Sequence, residues 1–163
     1  WVLATLGSRI DKLADTQIVA LGANINALSA AQVGQLGSSQ LRSLTSTQPN
    51  ALDAAKVQVI DITQLQTSQI AAIDVTKLAD AQVTAMTASQ IRSLGSAQIG
   101  ALSNAQVGAI SAANLPELSL SQIAAFSFTQ LQAMTAPATN LTADQKDVLA
   151  STLTTIEYGT LFP

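Results

Sequence analysis

An eight-residue pattern recurs through most of this chain and limits what it can fold into. Each copy typically has Ser, Thr or Gly first, a small residue third, Gln fourth, an aliphatic residue fifth and Leu or Ile eighth. The fourth residue is Gln in eleven of thirteen copies, and the exceptions are Lys56 and Asn114. The copies begin at Ala14, Ser29, Gly37, Thr45, Asp53, Gln66, Ala79, Thr87, Gly95, Ser103, Ser111, Ser119 and Ser127. Such regularity predicts a repeat protein, in which each unit stacks on its neighbours.

The period of eight excludes one continuous α-helix. Eight helical residues turn by about 800°, so successive copies would drift by roughly 80° around the helix axis. The two aliphatic positions would then spiral around the helix and bury no single face. Glycines inside the repeat, such as Gly95, Gly100 and Gly108, also disfavour a long helix.

The first half of each copy contains the signals that begin a helix. In the copy at Ser103, the Ser is an N-cap and Gln106 follows three residues later, which is the spacing of a capping box. Leu102 and Val107 flank this pair at the spacing of a hydrophobic staple. A capping box accounts for the recurring Gln, so we expect these side chains to shape helix ends and not to bind a ligand.

We therefore predict an all-α fold: a solenoid of very short capped helices, one octapeptide per helix, with a longer C-terminal capping helix. The alternative is a β-solenoid, since short repeats also build parallel β-helices, although Ala, Gln and Ser disfavour strands. The fifth residues predicted to line the interior are Ile18, Val33, Leu41, Val57, Ile70, Val83, Ile91, Ile99, Val107, Ile123 and Leu131. The eighth residues are Leu21, Leu36, Leu44, Leu52, Ile60, Ile73, Met86, Leu94, Leu102, Ile110, Leu118, Phe126 and Met134.

Two five-residue insertions, 61–65 and 74–78, interrupt the rhythm. Each begins with Asp and the two resemble one another, so we expect a matched pair of bulges or longer corners, and the alternative is that they are binding loops. Asp61 and Asp74 are predicted N-caps, and the alternative is that they share a cation. Pro49 occupies the fifth position of its copy and is expected to distort it, because proline has no backbone N–H.

The ends of the chain depart from the repeat. We divide the chain into a lead-in at 1–13, an octapeptide-repeat solenoid at 14–134, and a linker, capping helix and tail at 135–163. Residues 136–139 read Ala-Pro-Ala-Thr, which is typical of a linker. A helix is expected from Ala143 to about Glu157, because the apolar residues have helical spacing at Val148, Leu149, Leu153 and Ile156. The apolar residues 1–3 are expected to pack on the first coil.

The composition excludes several kinds of chemistry. The chain contains no His and no Cys, which removes soft metal sites, disulfides, thiol catalysis and His-based proton transfer. The carboxylates are scattered, and no calcium loop or phosphate-binding glycine loop is present. We therefore predict no catalytic residue, no cofactor-binding residue, no metal ligand and no cofactor, and we expect that the chain is not an enzyme.

Charge and hydropathy exclude two kinds of partner. The formal net charge is −3 and the pI is near 4.5, which disfavours nucleic acid because a phosphate backbone calls for a clustered basic surface. No window approaches the roughly 18 consecutive apolar residues of a membrane-spanning helix, so we expect no transmembrane segment. The remaining candidates are self-association, through filament or lateral contacts, and a surface protein or glycan.

The pattern Ser/Thr-x-x-Gln-Ile/Val-x-Ala-Leu over residues 14–134 resembles the degenerate repeats of large bacterial secreted or cell-surface adhesin-like proteins. The resemblance implies an extracellular or cell-surface location and a structural role, as a rod, filament or adhesin segment. The alternative is a soluble solenoid that binds a protein or glycan through its variable second and sixth positions. Those positions include Arg42, Asn50, Gln58, Arg92 and Gln132.

Overall fold

The fold was examined in a computed structural model, which describes residues 9–134 and 140–163. These residues form α-helices, short 3₁₀ turns and connecting bends, and none of them lies in a strand. The prediction of an all-α fold is therefore confirmed, and the alternative of a β-solenoid is wrong. The predicted packing of residues 1–3 and the predicted linker at 136–139 lie outside the described residues.

The helices follow the repeat. An α-helix of four to six residues begins at the second residue of eleven of the thirteen copies. In each of these eleven, the backbone N–H of the fifth residue donates to the carbonyl of the first at 2.9–3.2 Å. The first residue of each is extended, so the chain changes direction before every helix. The capping signals in the sequence thus predicted where these helices begin.

Proline explains the two copies that differ. Pro49 cannot donate the bond from the fifth residue to the first, and the helix of its copy begins later, at Gln48. In the copy at Ser111, Pro116 follows the fifth residue, and only a 3₁₀ turn over Leu115–Glu117 forms. The distortion predicted for Pro49 is therefore confirmed.

The chain divides into two compact units, 1–78 and 79–163. The division at Met134 made from the end of the repeat stays a prediction. In the described part of the first unit, the 3₁₀ turns are Ile10–Lys12, Gly22–Ala27, Ile62–Gln64 and Val75–Lys77. Its α-helices are α1 (Asp15–Ala20), α2 (Ala30–Val33), α3 (Ser38–Ser43), α4 (Gln48–Ala51), α5 (Ala54–Val57) and α6 (Thr67–Ile70).

The second unit contains longer and more regular helices. The 3₁₀ turn Leu115–Glu117 interrupts the series. The α-helices of its described residues are α7 (Asp80–Ala85), α8 (Ala88–Ser93), α9 (Ser96–Ala101), α10 (Asn104–Gly108), α11 (Leu120–Ile123), α12 (Phe128–Ala133), α13 (Ala143–Thr152) and α14 (Thr155–Leu161).

Most of the core of each unit consists of the residues predicted for it. Every predicted fifth residue is buried, and every predicted eighth residue except Leu21 is buried as well. Leu21 is half-buried because it lies before Gly22, which is in the left-handed conformation with a φ of 51° and begins an irregular 3₁₀ segment. The regular spacing of aliphatic residues therefore predicts most of the interior, and the buried residues that it misses include Ile10, Ile25 and Leu28, which lie outside the regular copies.

The two five-residue insertions form matching 3₁₀ turns, as predicted. Each places its second and fifth residues in the core, namely Ile62 with Leu65, and Val75 with Leu78. Each insertion therefore adds one short 3₁₀ segment between two helices, and its two apolar residues remain buried.

The C-terminal region corrects one prediction. A single helix from Ala143 to about Glu157 does not form; α13 ends at Thr152 and α14 begins at Thr155. The break arises because Thr154 and Glu157 form a second capping box, in which the Glu157 carboxylate accepts from the Thr154 N–H at 2.9 Å. Of the apolar residues expected to share one helix face, Leu149 is buried and Ile156 is exposed.

Candidate functional site

The most regular set of side-chain hydrogen bonds in the described residues is made by the amides at the fourth position of the copies. The acceptor end of each amide works as a capping box predicts. The Gln Oε1 accepts a hydrogen bond from the backbone N–H of the first residue at 2.6–3.0 Å, from Gln17 to Gln130. Where the first residue is Ser or Thr, its hydroxyl usually accepts in return from the backbone N–H of the Gln, at 3.1–3.3 Å.

The donor end of the amide makes a contact that the sequence analysis missed. Gln122 Nε2 donates to the carbonyls of Ile91 and Leu94, both at 2.8 Å. Gln130 Nε2 donates in the same way to Ile99 at 3.1 Å and Leu102 at 2.8 Å. In each case the acceptors are the fifth and eighth residues of an earlier copy, at the end of a helix, where the fifth-residue carbonyl also accepts the N–H of the eighth residue.

The first unit contains the same arrangement. Gln69 Nε2 donates to Leu41 at 2.8 Å and Leu44 at 2.7 Å. Gln48 donates to Ile18 at 2.9 Å, and Gln40 donates to the 3₁₀ turn at residues 10–13. Each of these five amides therefore joins the start of one helix to the end of a helix or 3₁₀ turn that lies 25–31 residues earlier in the chain.

These amides are buried, and their burial explains why both ends are bonded. Gln40, Gln69, Gln122 and Gln130 are 1–5% exposed. A buried amide that lacks a hydrogen bond costs about 1–3 kcal/mol. Among the described residues, no buried side-chain nitrogen or oxygen lacks a partner. A neutral side chain that both accepts and donates is therefore matched to this position.

The two copies that lack Gln still have a side-chain hydrogen-bond donor at the fourth position. Asn114 Nδ2 donates to the carbonyl of Met86 at 2.9 Å, 28 residues earlier. Lys56 Nζ donates to the carbonyl of Asn26 at 2.6 Å and also pairs with Asp53 at 2.8 Å. The carboxylate of Asp53, the first residue of the copy, accepts the Lys56 backbone N–H at 3.1 Å, as the Ser and Thr hydroxyls do in other copies. What the fourth position retains across these copies is a group that donates towards the N-terminus.

A signal for this role was present in the sequence. A capping box accepts Glu as readily as Gln, yet no copy has Glu at its fourth position. The chain has only two Glu residues, Glu117 and Glu157. Strict preference for the amide over the carboxylate indicates that the side chain must donate as well as accept.

The acidic residues singled out from the sequence cap their own turns. Asp61 accepts from the backbone N–H and hydroxyl of Thr63 at 3.1 and 2.6 Å, and Asp74 does the same with Thr76. The hydroxyl bond from each Thr holds the pKa of the neighbouring carboxyl below its usual value. Within 9–134 and 140–163, no three acidic residues are grouped so that they could hold a metal ion.

The variable positions considered for partner binding mostly contact other parts of the chain. Arg92 pairs with Glu117, and Arg42 donates to the side chain of Gln64 at 3.2 Å. Asn50 donates to the carbonyl of Ala72, and Gln58 donates to that of Lys77 at 3.3 Å. These side chains tie together segments that are distant in sequence.

No helix in the described part of the chain has the length and hydropathy that crossing a membrane would require. This agrees with the expectation from the sequence.

One comparison with known proteins gives a match. A family model described as "ALTTAQ repeat" matches residues 75–112, which contain the copies that begin at Ala79, Thr87, Gly95 and Ser103. The six letters of that description correspond to the seventh residue of one copy through the fourth of the next, and residues 101–106 read Ala-Leu-Ser-Asn-Ala-Gln. The prediction of a repeat protein is therefore confirmed. No curated protein and no solved structure matches the chain.

Proposed function

We propose that this chain is a non-enzymatic structural protein, a segment of a rod or filament built as a solenoid of short helices. The observation that supports the proposal most directly is the reach of the buried amides. Gln69, Gln122 and Gln130 each contact a copy that would lie about one coil earlier, so adjacent coils would be joined by hydrogen bonds as well as by apolar contact.

The register of these bonds supports a coil of four segments. The copy at Ser119 bonds to the copy at Thr87, and the copy at Ser127 bonds to the copy at Gly95, which in both pairs lies four copies earlier. Asn114, in the copy at Ser111, reaches the copy at Ala79 at the same interval. In the first unit, Gln69 reaches the copy at Gly37 when the insertion at 61–65 is counted as a segment.

The distribution of chemistry along the chain favours a structural role over a binding or catalytic one. The same donated amide bond recurs at Gln40, Gln48, Gln69, Gln122 and Gln130, and a bond that repeats along the chain suits a structural role better than a single binding site. Four of the five variable residues considered for partner binding contact the chain itself. A surface location, on a bacterial cell or in an extracellular matrix, follows from the resemblance to adhesin-like repeats and is part of the proposal.

The role can be tested by the association state of the purified chain. We expect sedimentation velocity to show assemblies that grow with concentration, and negative-stain electron microscopy to show elongated particles. Monomers at every concentration, together with one stoichiometric protein or glycan partner, would instead identify a binding module. For the location, antibodies against the chain should label intact cells of the source organism; labelling that requires permeabilised cells would overturn that part of the proposal.

A further inference from the structure

The last helix, α14, lacks the donor that fastens other helices of the chain. Its capping box places Glu157 where those helices have an amide. The carboxylate Oε2 accepts from the N–H and the hydroxyl of Thr154, at 2.9 and 2.8 Å. An ionised carboxylate can only accept hydrogen bonds, so it cannot donate to a carbonyl of a neighbouring helix.

The helix on which α14 packs has backbone carbonyls at the two positions that accept amide donors in other copies. The helix α14 packs on α12, the helix of the copy at Ser127. Leu131 and Met134 are the fifth and eighth residues of that copy. In the copies at Thr87 and Gly95, the carbonyls of the same two positions accept the amides of Gln122 and Gln130.

Other features of α14 also make its attachment weak. Leu161 is its one buried residue, whereas Ile156 is 83% exposed. Gly159 lies inside the helix with no neighbouring atom within 4 Å of a built Cβ, and glycine is a poor helix former. Phe162, which follows α14, contacts α13 through a cation–π pair near the limit of its range, with the Lys146 Nζ 5.8 Å from the centre of the ring.

We propose that α14 is a detachable helix, which separates from α12 and α13 together with residues 162–163 while α12 and α13 remain folded. Opening uncovers the edge of α12 that carries the Leu131 and Met134 carbonyls. The inference concerns the attachment of one helix and does not depend on the structural role proposed above.

Substituting Glu157→Gln tests the proposal, because two physical effects of the substitution predict opposite changes in the stability of the α14 attachment. A negative charge in the first turn stabilises a helix, so loss of the charge alone should loosen α14. A gained amide donor should fasten α14 to α12. Amide hydrogen exchange of the full chain separates the two, since the Tyr158 and Phe162 N–H groups are bonded within α14.

In the unmodified chain we expect the amides of α14 to exchange at least tenfold faster than those of α12. The Glu157→Gln variant should slow exchange in α14 about tenfold, with α12 unchanged. Equal protection of α14 and α12 in the unmodified chain would overturn the proposal, and so would unchanged or faster exchange in the Gln variant. The control Glu157→Ala removes the capping acceptor without adding a donor, and it should make α14 exchange faster.

Discussion

At the scale of single residues, the fourth position of the repeat distinguishes Gln from Glu. Both side chains can accept the N–H of a helix N-cap, but Gln alone also donates at neutral pH. The donor of Gln122 reaches two carbonyls at 2.8 Å in a site that excludes water. The Gln side chain that caps the N–H three residues earlier therefore also donates to the carbonyls of a distant part of the chain.

Replacing Gln122→Glu should lower the free energy of unfolding by about 3 kcal/mol at neutral pH, because a buried carboxylate would face two carbonyl oxygens. Urea denaturation of the two proteins measures the difference. At acidic pH the loss should shrink, since a protonated carboxyl group regains a donor.

The matched control is Gln17→Glu. Gln17 caps Ala14 in the same way, at 2.8 Å, but its side chain is exposed. The change should stay within about 0.5 kcal/mol, as is usual for surface substitutions. Equal losses at both positions would show that capping, and not the donated bonds, sets the cost.

The sequence predicted the near contacts of these residues and missed the far one. The capping role of Gln106 can be read from its spacing to Ser103, because the partner is three residues away. The partner of Gln130 lies 28 and 31 residues away, and that distance depends on how sharply the chain turns at each corner. No local pattern specifies that angle, although the absence of Glu indicates that a donor is needed.

At the scale of elements, neighbouring helices approach closely where the repeat has a glycine. The helices α10 and α12 pack together, and a Cβ built on Gly108 would lie 2.8 Å from the carbonyl oxygen of Ala133. Gly100 has the same position in the preceding copy, but its built Cβ would lie 3.8 Å from the nearest atom, the carbonyl oxygen of Ala125. Two equivalent glycines therefore differ in how much space surrounds them.

The substitution Gly108→Ala should destabilise the protein by about 1–3 kcal/mol, because the backbone of α12 must move to accept the methyl group. Gly100→Ala should stabilise it by up to about 1 kcal/mol, since alanine is the better helix former and no atom must move. Thermal or urea denaturation of both variants gives the comparison. Stabilisation by both substitutions would contradict the close approach of α10 and α12.

Element boundaries were predictable where a cap or a proline sets them. The start of α11 follows from Ser119 and Gln122, and the late start of α4 follows from Pro49. The break between α13 and α14 was missed, because the apolar spacing of Leu149, Leu153 and Ile156 suits one helix. The capping pair Thr154 and Glu157 begins a new helix there in spite of the apolar spacing, and Ile156 is exposed as a result.

At the scale of the whole molecule, four segments separate the copies that bond to one another. A deletion that keeps this interval should be tolerated, whereas a deletion that changes it should not. Removing residues 29–60 takes out four whole copies and brings Gln69 to the place of Gln40, four segments after the 3₁₀ turn whose carbonyls at Ile10 and Leu13 accept the Gln40 amide. Removing residues 103–110 takes out one copy and moves Gln122 and Gln130 away from their acceptors.

We expect the four-copy deletion to yield a shorter protein that unfolds cooperatively. The one-copy deletion should lose at least about 3 kcal/mol, because several buried amides lose their partners at once. Circular dichroism with urea denaturation measures both variants against the full chain. If the one-copy deletion proves as stable as the four-copy deletion, the interval of four does not control packing.

The donor bonds of the buried amides all run in one direction along the chain. Every donor bond described for Gln40, Gln48, Gln69, Gln122 and Gln130 points towards the N-terminus. Ribosomes make the N-terminal part of a protein first. The carbonyls that each amide requires are therefore made first and leave the ribosome before the amide does, so each new helix can pack on the preceding part of the chain without waiting for the rest.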